Sequence, residues 1–246
     1  VPPIEETGIA VVLLDIEGTT TPVDFVYRTL FGYARQNLPT FLRKASEEPE
    51  VRECVASLRA NHVLDQQAAQ NPPEWLTGQV SEIDSAVRYG LWLMERDSKA
   101  GPLKALQGLI WQEGYRSGML RGEVFPDVLP AFDRWRQQGK EISIYSSGSA
   151  LAQQMLFRTT TYGDLSVGIK AFFDTRIGIK TSPGSYSKIS SASGHPENQF
   201  LFCSDTIGEL DAARSAGMHT VLVARSSKAD DPSAGHAAIQ SFDELD

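Results

Sequence analysis

The stretch Ile9-Ala10-Val11-Val12-Leu13-Leu14-Asp15-Ile16-Glu17-Gly18-Thr19-Thr20 decides how the rest of the chain is read. Its apolar run lacks the polar alternation of a half-exposed strand, so it predicts a short strand covered on both faces. The run stops at an acid, a second acid follows two positions on, and Gly and hydroxyl residues come next. Asp15 therefore falls at the carboxyl end of a buried strand, where open parallel sheets bind their ligands. A carboxylate placed there can attack phosphorus and form an aspartyl-phosphate. Glu17 can lend a proton to the leaving oxygen and later take one from water. The alternative is a strand-end turn whose acids only cap backbone amides.

Working outward, similar runs recur at 141–145, 200–203 and 220–224, separated by helix-like stretches such as 126–138 and 207–216. Strands alternating with helices imply an α/β fold, a mostly parallel, Rossmann-like sheet covered on both sides. The span from about 23 to 118 differs. Phe25, Leu30, Tyr33, Leu38 and Leu42 recur at helical spacing, as do Val80, Ile83, Val87, Leu91 and Met94, and again Leu103, Leu106, Ile110 and Tyr115. No strand run interrupts them, and Asn71-Pro72-Pro73 predicts a break between helices. The expected organisation is a core built from 1–22 and 119–246, with 23–118 as a helical cap inserted after the first strand. A loop is expected over 226–237, then a short closing helix.

The 246 residues suffice for such a core and insertion, and 41% hydrophobic with 22% charged residues is ordinary globular composition. Acidic residues outnumber basic ones 31 to 23, a net charge of -8 that argues against nucleic acid or an anionic membrane as partner. A phosphorylated small molecule remains compatible, because a local cationic pocket can sit in a negative surface. Cys54 and Cys203 lack zinc-ligand spacing, and a reducing, cytoplasmic setting is expected. Val1 to Gly8 lacks the pattern of a signal peptide, and no apolar stretch approaches the roughly 20 residues that span a bilayer.

Three further sites follow strands or lie in the loops beyond them. Tyr145-Ser146-Ser147-Gly148-Ser149 offers hydroxyls and free amides at a helix start, either a phosphate cradle or a plain helix N-cap. Lys180 offers a cation that can balance phosphate and carboxylate charge, although spacing alone does not separate it from Lys170 and Lys188. Asp205 ends an apolar run and can join Asp15 in holding magnesium, which takes one or two carboxylates plus substrate phosphate. Glu209 and Asp211 are expected in the first turn of the following helix, where the helix dipole favours acids in any case; that reading is preferred for Asp211 and left open for Glu209. A nucleophile, a metal, counter-charge and an acid/base are together what in-line phosphoryl transfer needs.

This ordered set resembles the haloacid dehalogenase superfamily of phosphatases, whose pattern is Asp-x-Asp-Gly-Thr, then Ser or Thr, then Lys, then an acidic motif. The chain departs from it in carrying Glu17 as the second acid, and that departure is similar to the signature of the enolase-phosphatases of methionine salvage, Leu-Leu-Asp-Ile-Glu-Gly-Thr-Thr-Thr-Pro over 13–22. Ile144 to Ser149, Phe173-Asp174-Thr175 with Gly178 and Lys180, Leu106-Gln107-Gly108 with Trp111, and Glu209 to Ala213 with Ala216-Gly217-Met218 match as well. The resemblance runs from about 9 to 245, is weakest over 44–80, and places Thr206 where an apolar residue is expected.

What the resemblance implies is specific. The substrate is a phosphorylated diketone, 2,3-diketo-5-methylthiopentyl-1-phosphate, enolised and then dephosphorylated by a cytoplasmic monomer with one magnesium ion. The metal positions map to Asp15, Glu17 (through its main-chain carbonyl) and Asp205. The substrate positions map to Ser146, Ser147 and Lys180, and the catalytic set to Asp15, Glu17 and Lys180. The match of Phe173-Asp174-Thr175 and its spacing to the family's pattern is what implies Lys180 rather than Lys170. The helical insertion would serve as a lid, with Lys99, Gln107 and Trp111 as candidate contributors. The alternatives are a phosphatase of the same superfamily for another small phosphomonoester, and a non-catalytic magnesium or phosphate binder.

Overall fold

The computed structural model describes residues 8–225 and 235–245. The expectations for the first residues of the chain, and for most of the loop over 226–237, lie outside them. Two compact units are present, one from Val1–Val26 with Arg121–Asp246 and one from Tyr27–Leu120.

The first unit begins with β1 (Val11–Leu14), every residue of which is buried, as an uninterrupted apolar run requires. The other unit, entered next along the chain, is helical: α1 (Phe31–Lys44), α2 (Pro49–Gln67), α3 (Gln79–Glu95) and α4 (Gly101–Arg116). Its core is closed by Leu38 and Leu42 of α1, Val51, Val55 and Leu58 of α2, Ala86, Tyr89 and Leu93 of α3, and Leu103, Leu106 and Ile110 of α4. These stand three or four apart within each helix, one stripe per helix. The buried face of α3 is wider than the expected stripe: Val87 is in the core, Ile83, Leu91 and Met94 pack against it partly buried, and Ala86, Tyr89 and Leu93 are buried as well. Helix α2 carried no expectation of its own. It starts on Pro49, whose missing N–H is harmless at a first turn, and the Asn71-Pro72-Pro73 break lies between α2 and α3.

The first unit resumes with α5 (Val128–Gln137), β2 (Glu141–Tyr145), α6 (Ala150–Arg158), β3 (Ala171–Phe173), α7 (Pro183–Ser193), β4 (Phe200–Ser204), α8 (Ile207–Ser215), β5 (His219–Val223) and β6 (Ala237–Ile239). The strands form one parallel sheet in the order β3-β2-β1-β4-β5-β6. Two strands correct the sequence reading. β3 is only three residues, too short for a periodicity signal, and β6 falls at the end of the expected loop, where Ala237 and Ala238 are exposed at the sheet edge. The closing helix is a single 3-10 turn, Phe242–Glu244, started by Ser241 and Glu244 in a reciprocal capping arrangement.

The strand order reverses between β1 and β4, so the crevice beyond their carboxyl ends is the expected ligand position. Register places Leu14 beside both Ile144 and Cys203. Asp15, Tyr145 and Ser204 are each the next residue on their strands, and the three loops leave the sheet at one edge. Among the described residues no helix is long and apolar enough to cross a membrane.

Candidate active site

Asp15 continues the sheet by one hydrogen bond, its N–H donating to the Cys203 carbonyl at 3.0 Å. The chain then folds tightly. The amides of Thr19, Thr20 and Thr21 all point at the Ile16 carbonyl (3.2, 3.0 and 2.9 Å), and the Thr20 hydroxyl donates to the Asp15 carbonyl at 3.1 Å. The threonines after the acids therefore serve the turn. Gly18 sits at its apex with φ +72°, and a Cβ there would lie 2.1 Å from Asp205 Oδ2. Only glycine meets both conditions, and the close approach puts Asp205 against the turn that carries Asp15 and Glu17. Glu17 is half-buried on this turn, in bridge pairing with Thr21.

Of the three lysines, Lys180 is the one that faces Asp15. Its ammonium lies 2.5 Å from Asp15 Oδ1 and 2.5 Å from Glu209 Oε2, with its side chain 9% exposed. Lys170 instead faces Glu141 at 3.5 Å, and Lys188 donates to the Ile177 carbonyl at 3.2 Å. Burial alone would pull the Lys180 pKa down, but the negative charges of Asp15 and Glu209 outweigh it and leave it raised. Glu209 is pushed up by burial and by Asp15, in part offset by Lys180.

Glu209 is the residue that sequence reasoning left undecided. It stands in the first turn of α8, but its carboxylate accepts from Ser204 Oγ at 3.0 Å and pairs with Lys180, so it belongs to this cluster. Asp211 does not fit the dipole reading. It lies beyond the first turn and pairs with Arg214 at 2.5 Å and with His236 at 3.2 Å. Thr206 is the N-cap of α8 by backbone conformation, and its hydroxyl donates to Asp205 Oδ1 at 2.9 Å.

Ser146 is buried and Ser147 exposed at the end of β2. Neither is the helix cap: Ser149 is, its hydroxyl accepting from Ala152 N–H at 3.3 Å. Ser146 Oγ accepts from Gly148 N–H at 3.3 Å, and Ser146 N–H donates to the Phe173 carbonyl at 3.2 Å. Asp174 holds this loop from the next strand, accepting from Ala150 N–H at 3.0 Å and pairing with Arg176 at 2.7 Å. In the helical unit, Trp111 donates its indole N–H to the Leu30 carbonyl at 2.7 Å, Gln107 is buried, and Lys99 pairs with Asp97 at 2.8 Å.

A divalent cation fits the acids at the sheet edge. Desolvation first and the charge of Asp15 second raise the Asp205 pKa, so two carboxylates are held in mutual repulsion that a cation relieves. Among the described residues no three His, Cys, Asp or Glu side chains are arranged to hold a metal.

Comparison with known proteins identifies the family. The family described as haloacid dehalogenase-like hydrolase matches residues 9–217. The chain is 46% identical over 238 residues to Enolase-phosphatase E1 of Synechococcus elongatus, covering 97% of this chain and 98% of that protein. It is 40% identical over 238 residues to Enolase-phosphatase E1 of Pseudomonas aeruginosa, covering 96% and 98%. Among solved structures, UTR4 protein of Saccharomyces cerevisiae superposes with a TM-score of 0.75 at 30% identity, over 96% of this chain and 100% of that one. CbbY of Rhodobacter sphaeroides, solved with phosphate, has a TM-score of 0.54 at 15% identity over 96% of each chain, a likeness of fold alone.

Proposed function

The chain belongs to the haloacid dehalogenase-like hydrolases and, within them, to the enolase-phosphatases, and on that premise we propose that it enolises 2,3-diketo-5-methylthiopentyl-1-phosphate and then hydrolyses the phosphate, leaving 1,2-dihydroxy-3-keto-5-methylthiopentene, with Asp15 as nucleophile. The observation that best supports the residue assignment is the Lys180 ammonium, buried between Asp15 and Glu209 beside the Gly18–Asp205 contact. A buried lysine balanced by two acids at a sheet edge has little structural purpose; a nucleophilic carboxylate facing a phosphate needs that counter-charge.

Family membership carries a divalent-metal requirement. In this reading the metal is one magnesium ion per chain, held by the carboxylates of Asp15 and Asp205 and the main-chain carbonyl of Glu17. Bound there, it supplies polarisation of the phosphoryl group and compensation of enolate charge. Ser146 and Ser147 bind phosphate oxygens with the amides that follow them, and Lys180 neutralises the charge that remains. Glu17, or as the second candidate a residue of 23–118, removes the proton from the carbon bearing the phosphate, next to the C2 carbonyl, and the C2 oxygen takes a proton from solvent to complete the enol. Asp15 then attacks phosphorus while Glu17 protonates the leaving enol oxygen, and Glu17 next takes a proton from the water that cleaves the aspartyl-phosphate. The roles of catalytic core for 1–22 with 119–246, and of cap for 23–118, belong to the same proposal. So does a cytoplasmic monomer that acts on a small molecule, with neither nucleic acid nor membrane as partner.

The test supplies the diketo phosphate with magnesium and follows ultraviolet absorbance and released phosphate together. An absorbance rise that precedes phosphate, with both lost in EDTA, is the expected result. Phosphate release from simple esters with no turnover of the diketo compound would leave a phosphatase of another specificity. Asp15→Asn should abolish turnover; unchanged phosphate affinity with no turnover in the parent protein would indicate a binder.

A further inference from the structure

The backbone that carries Lys180 is held in an unusual way. Three successive carbonyls, those of Gly178, Ile179 and Lys180, each accept a hydrogen bond from a side-chain hydroxyl. Tyr145 donates to Gly178 at 2.9 Å, Ser185 to Ile179 at 2.7 Å and Tyr186 to Lys180 at 2.7 Å. The donors come from the end of β2 and the first turn of α7, so the loop is gripped from two elements. Both tyrosines are fully buried and meet edge to face, ring centroids 5.6 Å apart. The Lys180 ammonium lies 5.7 Å from the centre of the Tyr145 ring, which favours a cation there. Gly178 has φ +154°, and a Cβ on it would lie 2.1 Å from Ser185 Oγ, so the approach of that hydroxyl depends on the glycine.

Loop carbonyls are ordinarily satisfied by water or by neighbouring amides. Here the nearest local amide bond is Ser182 N–H to the Ile179 carbonyl at 3.1 Å, and fixed hydroxyls do the rest. A lysine side chain has four rotatable bonds, and its ammonium can be placed to within a fraction of an ångström only if its Cα is fixed. We propose that Tyr145 and Tyr186, with Ser185 between them, are positioning residues: their hydroxyls fix the backbone of Lys180 so that its ammonium meets Asp15 and Glu209 together. This inference rests on the reading of Asp15 as the phosphoryl acceptor.

The test uses the full chain with magnesium and beryllium fluoride, a mimic of phosphoryl groups on aspartate, titrated calorimetrically. The wild-type protein should bind it. Tyr186→Phe, which keeps the ring and removes only the hydroxyl, should bind roughly three- to tenfold more weakly, the loss of one buried hydrogen bond. Tyr145→Phe should behave alike and carries the test if Tyr186→Phe does not fold. A second readout is the slowly exchanging ammonium resonance expected for Lys180 in nitrogen-15 spectra, assigned through Lys180→Arg; it should broaden or vanish in both tyrosine variants, which a loss of stability elsewhere would not cause. Tyrosine variants that bind the probe as wild type does and keep the resonance overturn the proposal. A wild-type protein that binds no beryllium fluoride overturns the Asp15 reading and, with it, this role of the tyrosines.

Discussion

Gly18→Ala should separate function from stability. The alanine would have to keep a left-handed backbone at φ +72°, which costs about 1–2 kcal/mol for an L-residue. Its Cβ would also fall 2.1 Å from Asp205 Oδ2, far inside any contact that real atoms keep. The obstructing atom is the far end of a side chain, so the clash is relieved by turning the carboxylate away rather than by moving backbone. The stability loss should therefore stay near the backbone term, a fall in melting temperature of roughly 2–8 °C. The carboxylate that retreats is the one proposed to hold the metal with Asp15, and it must move by about 1 Å, a displacement that can lower turnover about 100-fold. Phosphate release measured across a magnesium titration, beside thermal unfolding, reads both. The expected variant is folded, needs much more magnesium, and is slower at saturation. A variant with wild-type magnesium dependence and turnover but a lowered melting temperature would refute the claim that Gly18 is small for the sake of Asp205.

Lys180→Met should leave the protein folded, as circular dichroism would report, and lower turnover about 10²- to 10³-fold by removing the counter-charge beside Asp15. Glu17→Gln should damage enolisation and hydrolysis together while magnesium still binds; normal enolisation, followed by ultraviolet absorbance, would remove Glu17 as the enolising base. Arg225→Met should cost about 3–5 kcal/mol in urea unfolding, because it strips a buried Asp127 of its partner and the Thr19 carbonyl of two hydrogen bonds. Burial pushes the Asp127 carboxyl up, but hydrogen bonds from Arg225, the Phe242 amide and Ser241, with the Arg225 charge, hold it below the usual range. The stability this provides is present above about pH 4 and is lost as pH falls through the depressed folded value. Unfolding measured between pH 5 and 2 should show a steeper acid loss for wild type than for Arg225→Met.

The sequence carried the parts of this molecule whose physics is local. Runs dominated by apolar residues made β1, β2, β4 and β5 legible, most clearly β1, where a strand buried on both faces has no polar alternation to dilute its signal. Helical stripes likewise made α1, α3 and α4 legible, although on α3 the buried face is wider than the stripe and takes in Tyr89. What stayed hidden depends on distance. Lys180 and Asp15 are 165 residues apart, and nothing in the spacing of three lysines by itself says which ammonium reaches the first strand; only the family resemblance named Lys180. Glu209 illustrates the same limit from the other side. Its place in a first helical turn is explained fully by the helix dipole, so no local signal is left over to betray a second purpose. Only the parallel arrangement of β1 and β4, with their ends level, turns that ordinary helix-start acid toward the lysine. The hydroxyls gripping the Lys180 loop are similarly silent in sequence: Tyr145 reads as the apolar end of a strand and Tyr186 as core, which each also is. Chemistry in this chain is thus written on residues that already have a structural reason to be where they are. Substitutions that spare the structural reason and remove only the polar atom, such as Tyr186→Phe, are for that reason the most informative ones to make.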